Sequence, residues 1–182
     1  NAKGPNLPMV TACSSATNSI GEAFRYIRDG YLDLAFAGGA EAPINDLGIG
    51  GFTSLRALDT SNDKEYASRP FDKTRAGFVI AEGAGVLILE SYEYAKNRGA
   101  TILAEIVGYG TTADAFHMTA PDENASGVTE CINIALRDAK LEPEALGYIN
   151  AHGTSTVLND KLETLGFKKA LKEHAYNVNI SS

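Results

Sequence analysis

The sequence predicts an α/β fold in which a largely parallel sheet is covered by helices. Segments with apolar residues at helical spacing alternate with short apolar runs of strand length, and glycines or polar loops separate them. The chain has 182 residues, which suffices for one domain with a buried core. Hydrophobic residues make up 44% and charged residues 21%, values typical of a soluble globular protein.

Four segments are predicted to be helices, at residues 14–30, 92–98, 126–139 and 160–171. In the first, apolar side chains recur every three or four residues from Ala16 to Ile27, so one helix face is apolar. Gly30 and Gly99 are placed to end the first and second helices. Ser126 is the predicted N-cap of the third.

Short apolar runs predict strands at residues 9–11, 32–37, 77–80, 85–90, 102–107, 148–150 and 178–180. The Gly38-Gly39 pair is expected to end the second strand. A glycine-bearing turn separates the third and fourth strands, which predicts that they pair as a hairpin. The glycine-rich residues 48–52 and the polar residues 69–77 are predicted to be loops.

Composition and charge exclude several classes of function. The formal net charge of -7 disfavours a dedicated nucleic-acid binder, which needs a basic face. No apolar run approaches the ~18 residues that span a bilayer, and the first residues form no signal segment. Cys13 and Cys131 form neither a disulfide framework nor a metal-ligand pattern. We therefore expect no metal and a cytoplasmic location.

Cys13 is the first candidate catalytic residue. It lies between the short strand at 9–11 and the amphipathic helix that follows. A thiol at the N-terminus of a helix lies near the positive end of the helix dipole and unpaired N–H groups, which favour the nucleophilic thiolate. A strand-to-helix turn also exposes the side chain. The structural alternative is that Cys13 is a small buried apolar residue.

His152 is the second candidate, because it follows the strand at 148–150. The carboxyl ends of strands are where α/β folds bind ligands, and Gly153 would let a ligand approach the backbone closely. Thr154 and Thr156 can donate hydrogen bonds to a ligand that carries amides. The structural alternative for His152 is a loop histidine that caps a turn.

Structural interpretations are preferred for the remaining candidates. Cys131 lies on the apolar face of a helix, His117 lies in a loop, and His174 is expected to be a solvated surface residue. A charged cluster in the loop at 69–77 is interpreted as structural ion pairs rather than an anion site, because both signs are interspersed. Its members are Arg69, Asp72, Lys73 and Arg75.

Five motifs occur in order along the chain, and together they are highly specific. They are Thr11-Ala12-Cys13-Ser14-Ser15, Gly38-Gly39-Ala40-Glu41, Arg69-Pro70-Phe71-Asp72, Glu82-Gly83-Ala84-Gly85 and Asn150-Ala151-His152-Gly153-Thr154-Ser155-Thr156. The set resembles the β-ketoacyl-acyl-carrier-protein synthases, most closely the elongating type II enzymes of bacterial fatty-acid synthesis. Val157 departs from the family, in which many relatives have proline at this position.

The resemblance implies a thiolase-like fold, layered α/β/α/β/α in the complete enzyme, of which this chain would be an incomplete central portion. Residues 1–100 would be the later part of the N-terminal half, and 101–182 the start of the C-terminal half. A second active-site histidine, an active-site lysine and a Gly-Phe-Gly-Gly stretch would follow Ser182. The family resemblance also implies a homodimer.

The resemblance further implies the reaction and its catalytic residues. Cys13 would take an acyl chain from acyl carrier protein as a thioester. Malonyl-acyl-carrier protein would then lose CO2, and its carbanion would attack that thioester to give a 3-ketoacyl-carrier protein. A neutral imidazole at His152 would stabilise the negative charge on the malonyl thioester oxygen. Glu163 would pair with the lysine beyond the chain and support the site.

Binding roles follow from the same resemblance. Thr154 and Thr156 would hold the phosphopantetheine arm of acyl carrier protein, Phe52 would line the acyl pocket, and Arg56 would contact the carrier protein. No other cofactor is implied, since the arm carries the substrates.

Three alternatives to fatty-acid elongation stay open from the sequence. A ketosynthase of a polyketide pathway would carry the same motifs. A non-catalytic partner subunit of the same fold would lack the nucleophile, so Cys13 argues against it. A binding module without chemistry would show no unusual reactivity at Cys13.

Overall fold

The structure of the chain is a computed structural model that describes residues 2–118 and 120–182. Its helices are α1 (Ser15–Arg28), α2 (Asp46–Ser54), α3 (Tyr92–Asn97), α4 (Ser126–Ala139) and α5 (Val157–Leu171). Its strands are β1 (Leu34–Glu41), β2 (Gly83–Glu90), β3 (Tyr148–Asn150) and β4 (Asn179–Ser181). Short 3-10 helices lie at Ala12–Ser14, Pro143–Ala145 and Lys172–Tyr176. None of the helices formed by these described residues is both long and apolar enough to cross a membrane.

The chain forms two compact units. The first runs up to Ala42 and adds Glu82–Ile106, and the second comprises Pro43–Ala81 and Val107–Ser182. In the first unit β1 and β2 pair antiparallel, with Leu34 opposite Glu90 and Glu41 opposite Gly83, and α1 packs on β1. Gly30, at φ +78°, ends α1 as predicted.

In the second unit, β3 and β4 pair in parallel, and α5 supplies most of the buried apolar side chains. The buried residues of α5 include Leu162, Phe167, Ala170 and Leu171. Helix α4 lies close against α5, because a Cβ added at Gly166 would stand 2.6 Å from Val128 Cγ1. The predicted helices and the strands at 148–150 and 178–180 are thus confirmed within a residue or a few.

The predicted hairpin between residues 77–80 and 85–90 is wrong. Strand β2 pairs with β1, a strand far earlier in the chain, whereas Phe78 forms an isolated parallel bridge with Leu58. The Gly38-Gly39 pair does not end β1 either, and the strand continues through it to Glu41. A Cβ at Gly38 would collide with the carbonyl oxygen of Gly85, so glycine at position 38 lets the two strands approach.

Three local predictions are also corrected. Residues 48–52 lie within α2, because the Asn45 side chain accepts the Gly48 N–H at 2.9 Å and caps that helix. The N-cap of α4 is Ala125 rather than Ser126, and Asp122 Oδ2 accepts the Ser126 N–H. Residues 102–107 form no strand, and 9–11 form none, among the residues that the structure describes.

Candidate active site

The Cys13 elbow, residues 11–18, comprises a 3-10 turn and the first residues of α1. Ala12 has φ +52°, a left-handed conformation that is uncommon for a residue other than glycine. Cys13 follows within the 3-10 turn Ala12–Ser14 and is exposed. The turn leads into α1, which begins two residues after the thiol, so the helix side of the predicted strand-to-helix turn is present, whereas residues 9–11 form no strand before it.

Hydroxyl groups on both sides of Cys13 hold the Cys13 elbow in this conformation. Ser15 Oγ accepts the Thr11 N–H at 2.8 Å and donates to the Ala12 carbonyl at 2.8 Å. Ser14 Oγ donates to the Thr11 carbonyl at 2.8 Å, and the Asn18 side chain donates to Thr11 Oγ1 at 2.7 Å. All of these bonds join residues at most seven apart in the chain, so the elbow is a local structure.

The start of α1 is seated on β1 through small side chains. A Cβ added at Gly39 would stand 2.9 Å from the Ala16 Cβ, and Ser19 Oγ accepts the Gly38 N–H at 3.3 Å. The Gly38-Gly39 pair therefore allows the close contact between helix and strand that fixes the Cys13 elbow on the sheet.

The His152 loop, residues 151–157, begins where β3 ends. The Ala151 N–H donates to the Ser181 carbonyl at 2.8 Å, which continues the β3–β4 pairing up to the loop. The next side chain, His152, is exposed. Gly153 has φ +47°, and a Cβ there would collide with the Ser182 side chain, so only glycine fits this position without strain.

Glu163 fixes the backbone of the His152 loop. This residue is only 8% exposed. Its Oε1 accepts the His152 N–H at 2.6 Å, and its Oε2 accepts the Gly153 N–H at 2.9 Å and the Asn159 side chain at 3.2 Å. Glu163 therefore supports the main chain that carries His152. Its pairing with a lysine stays a prediction.

Thr154 and Thr156 lie side by side, with their Oγ1 atoms 2.8 Å apart. Thr156 is also the N-cap of α5, since its Oγ1 accepts the Asn159 N–H at 3.3 Å. Both residues are half-buried. Helix α5 starts at Val157, the first helical position, where a proline would lose no intrahelical hydrogen bond.

A second segment, which we call the brace (residues 69–77), is hydrogen bonded to the His152 loop. Ser155, at φ +64° and 1% exposed, accepts the Arg69 N–H on its Oγ at 3.2 Å. The Gly77 N–H donates to the Ser155 carbonyl at 2.9 Å. A left-handed serine is strained, and these long-range bonds are what hold it in that conformation.

The arginines of the brace have structural partners, and their ion pairs are with Asp59 and Asp160, outside the cluster of Arg69, Asp72, Lys73 and Arg75. Arg69 donates to the Thr74 carbonyl at 2.7 Å and pairs with the buried Asp59 at 3.3 Å. Arg75 donates to the carbonyls of Thr156 and Val157, at 2.8 Å and 2.6 Å.

Asp160 links the brace to α5, and no sequence motif predicts this role. It is 1% exposed, and its Oδ2 accepts the Phe71 N–H at 2.7 Å and lies 3.4 Å from Arg75 Nε. A carboxylate at the start of a helix normally faces water, so only its place among apolar positions could have revealed it.

The two remaining predicted binding residues lie on or next to α2. Phe52 is half-buried and packs edge-to-face on Phe78, with ring centroids 5.1 Å apart. Arg56 is exposed and has φ +53°, just after the helix ends. The roles of these side chains in binding stay predictions.

The other cysteine and histidines have structural contacts. Cys131 is half-buried, its thiol donates to the Gly110 carbonyl at 3.2 Å, and burial raises the pKa of that thiol above 9.0. His117 Nδ1 accepts the Ala120 N–H at 3.1 Å. The expectation that His174 is a solvated surface residue is corrected, because its Nε2 lies 2.8 Å from the Leu146 carbonyl and the residue is half-buried.

Each unit thus carries one side chain that is suited to catalysis. The first unit presents an exposed thiol at a strained turn, and the second presents an exposed histidine in the same loop as two paired hydroxyls. No group of three or more His, Cys, Asp or Glu side chains within 2–118 and 120–182 is placed to hold a metal ion.

Comparison with known protein families shows which family the chain belongs to. The sequence profile of the beta-ketoacyl synthase N-terminal domain matches residues 1–95, and that of the C-terminal domain matches 103–182. The chain belongs to the beta-ketoacyl synthase family, and its architecture is an α/β portion of the thiolase-like fold. The predicted join near residue 100 stays a prediction.

Curated relatives agree with this assignment. The chain is 53% identical over 182 residues to a 3-oxoacyl-[acyl-carrier-protein] synthase 2 of Synechocystis sp., covering 100% of the chain and 44% of the relative. It is 51% identical to the protein of that name from Coxiella burnetii, covering 99% of the chain and 44% of the relative. The chain thus spans less than half the length of these relatives.

Solved structures of ketosynthases have the same fold. A type II PKS acyl-carrier protein in complex with its ketosynthase bound to the hexaketide matches with a TM-score of 0.90 and 44% identity. That match covers 93% of this chain and 42% of the other. A beta-ketoacyl synthase from Burkholderia phymatum matches with a TM-score of 0.87 and 44% identity, covering 93% of this chain and 41% of the other.

Proposed function

We propose that this chain carries the nucleophile and one oxyanion donor of a 3-oxoacyl-acyl-carrier-protein synthase, an acyltransferase of fatty-acid elongation. The observation that carries the proposal is the exposed Cys13 at the Cys13 elbow, in a chain 53% identical to a 3-oxoacyl-[acyl-carrier-protein] synthase 2. Cysteine suits a thioester intermediate because it is both a good nucleophile and a tolerable leaving group.

The first half-reaction is acyl transfer. The Cys13 thiolate attacks the carbonyl carbon of an acyl-carrier-protein thioester, and a new C–S bond forms to Cys13. The C–S bond to the phosphopantetheine arm breaks, and the carrier thiol leaves as a thiolate that takes a proton from water. The acyl chain is then held on Cys13, and we propose Phe52 as a wall of its pocket.

The second half-reaction is decarboxylating condensation. Malonyl-acyl-carrier protein loses CO2, and the electron pair of the broken C–C bond passes to an enolate whose charge lies on the thioester oxygen. We propose that the His152 imidazole donates a hydrogen bond to that oxygen. The enolate carbon attacks the acyl group, the Cys13 C–S bond breaks, and the thiolate is regenerated with release of the 3-ketoacyl-carrier protein.

The proposed partner is acyl carrier protein. Thr154 and Thr156, whose paired hydroxyls are half-buried beside His152, are the proposed ligands of its phosphopantetheine arm. Arg56, exposed after α2, is the proposed contact for the acidic carrier surface. No resident cofactor or metal is proposed, because the arm delivers both substrates. Glu163 is proposed to support the site, through the loop backbone and through the predicted lysine.

The proposal extends to the location and assembly of the full-length protein. We propose a cytoplasmic homodimer that binds neither membrane nor nucleic acid, a location with which two free cysteines are compatible. We also propose that the 182 residues alone are inactive, because catalytic groups that act as a unit lose most of their effect when some are missing. Turnover by the isolated chain near that of the full-length protein would contradict this.

The experiment that tests the function is substitution of the two cysteines in the full-length gene product. Cys13→Ala should abolish 3-ketoacyl-carrier-protein formation, because no acyl-enzyme can form. Cys131→Ala is the matched control and should cost only stability, about 1–2 kcal/mol for a small half-buried residue. Full condensation by Cys13→Ala would overturn the proposed nucleophile.

A ketosynthase of a polyketide pathway is the second candidate. The observation that favours it is the match to the ketosynthase bound to a hexaketide, with a TM-score of 0.90. Supplying malonyl-carrier protein without a ketoreductase separates the two. A fatty-acid enzyme should stop after one condensation, whereas a polyketide enzyme should condense repeatedly.

A further inference from the structure

The geometry points to Arg75 as a positioning residue, which fixes the positions of the two threonine hydroxyls of the His152 loop. The affinity for the phosphopantetheine arm then depends on Arg75. This inference rests on the proposed function, because it assumes that Thr154 and Thr156 bind the phosphopantetheine arm. Arg75 itself is not proposed to touch substrate. It acts through the backbone carbonyls of the α5 N-cap residue, Thr156, and of the first helical residue, Val157.

Arg75 donates hydrogen bonds to two adjacent carbonyls of the His152 loop and to one carbonyl of the brace. Its Nε donates to the Thr156 carbonyl at 2.8 Å, and its Nη2 donates to the Val157 carbonyl at 2.6 Å. Its Nη1 donates to the Asp72 carbonyl at 2.9 Å, within the brace. One planar guanidinium therefore holds two successive peptide groups of the His152 loop relative to the brace, a distant segment of the chain, with a geometry that an ammonium cannot reproduce.

Those two peptide groups determine where the hydroxyls lie. Thr156 is the N-cap residue, so its Oγ1 direction follows from the orientation of the first turn of α5. Thr154 Oγ1 lies 2.8 Å from Thr156 Oγ1. This hydrogen bond makes the position of the Thr154 hydroxyl depend on that of Thr156. Rotation of the 156–157 peptide groups would move both hydroxyls together.

The Arg75 guanidinium is itself held in place. Its side chain is 14% exposed, and Asp160, which is fully buried, lies 3.4 Å away. Asp160 also accepts the Phe71 N–H at 2.7 Å, so the acceptor is anchored to the brace. Arg75 thus has little freedom to adjust if its contacts with the loop change.

Arg69 provides a matched control within the same brace. Its side chain is 20% exposed, pairs with buried Asp59 and donates to carbonyls of residues 66, 67 and 74. None of these acceptors is in the His152 loop. Its link to Ser155 is made by the backbone N–H, which a side-chain substitution leaves in place.

The experiment compares Arg75→Lys with Arg69→Lys in the full-length gene product. For Arg75→Lys we expect KM to rise about tenfold for both acyl-carrier protein and malonyl-carrier protein, with kcat changed less than about threefold. Both constants should rise because both substrates bring the same arm. Arg69→Lys should lower the melting temperature by a similar amount and leave both KM values unchanged.

Alkylation of Cys13 by iodoacetamide, which needs no arm, should have the same rate in both variants and in the wild type. Guanidinium ion added to Arg75→Ala should lower its KM values, and should not do so for Arg69→Ala. Should the lysine variants not fold, Arg75→Gln and Arg69→Gln replace them, since glutamine retains N–H donors.

Equal KM values in the Arg75 and Arg69 variants would overturn the positioning role, and so would unfolding confined to the Arg75 variants. Failure of the proposed function looks different, because then wild-type protein makes no 3-ketoacyl product, or Cys13→Ala still makes it.

Discussion

The Cys13 elbow and the His152 loop carry the two proposed catalytic side chains, and they are held by different kinds of contact. Every hydrogen bond described for the Cys13 elbow joins residues within seven positions. The His152 loop is fixed by the buried Glu163 and by brace residues 81 to 86 positions away. The Cys13 elbow thus combines local hydrogen bonds with the seating of Ala16 against Gly39, whereas the loop depends on hydrogen bonds to distant segments of its unit.

The largest difference between the two segments should appear in catalysis. His152→Ala in the full-length protein should slow malonyl decarboxylation by about 10²–10³, because a preorganised oxyanion donor is lost. Acyl transfer to Cys13 should remain measurable. Single-turnover acylation and CO2 release, followed separately, check this, and an equal fall in both would mean that His152 has no separate role.

The next largest difference between the Cys13 elbow and the His152 loop should appear in the free energy of unfolding. Glu163→Ala leaves the N–H groups of His152 and Gly153 without their acceptor, so the free energy of unfolding should fall by about 2–4 kcal/mol. Ser15→Ala removes two bonds from the exposed Cys13 elbow and should cost about 1 kcal/mol or less. Urea unfolding measures both, and equal losses would remove the distinction between local and long-range support.

The sequence predicts the Cys13 elbow better than it predicts the contacts that hold the His152 loop, for a physical reason. Helical spacing predicts α1 after the Cys13 elbow, and the strand before His152 is visible as a short apolar run, whereas the strand predicted at 9–11 does not form. Nothing within a short window of sequence reports that Arg75 binds the carbonyls of Thr156 and Val157. Such contacts depend on how distant segments pack.

The predictions of a hairpin at 77–90 and of a loop at 48–52 are wrong for related reasons. The hairpin prediction relies on the closeness in sequence of residues 77–80 and 85–90, yet β2 pairs with the distant β1. Helix α2 contains Gly48, Gly50 and Gly51, and its propensity is poor. Its Asn45 cap and the packing of Phe52 on Phe78 outweigh that propensity.

The two thiols allow a test that needs no substrate. Cys13 is exposed, whereas burial raises the pKa of the Cys131 thiol and lowers its thiolate fraction at any given pH. Iodoacetamide at about pH 8 should modify Cys13 at least about tenfold faster than Cys131. Mass spectrometry of timed samples resolves the two sites. Labelling of Cys13 no faster than a free peptide thiol would argue for a module without nucleophilic chemistry.

Acid should produce the smallest difference, through Asp72 in the second unit. Asp72, in the brace, has its pKa held below 3.8 by hydrogen bonds from the Thr74 hydroxyl and backbone N–H. Because the folded pKa is depressed, Asp72 contributes stability above pH 3.8 that is lost as pH falls through the folded value.

Asp72→Asn should therefore flatten the loss of stability below pH 3.8, while the Cys13 elbow, which has no carboxylate, keeps its hydrogen-exchange protection. An unchanged pH profile in the variant would show that Asp72 contributes nothing to acid sensitivity.

The contact between Gly39 and Ala16 has a consequence for how this sequence can vary. The two positions share one small volume, since a Cβ at residue 39 would stand 2.9 Å from the Cβ of Ala16. A combinatorial library at these positions should return the natural pair and the exchange that combines Gly39→Ala with Ala16→Gly, while excluding Gly39→Ala alone. Positions 16 and 39 would then vary together rather than independently, so the helix that presents the thiol is coupled in sequence to the strand on which it packs.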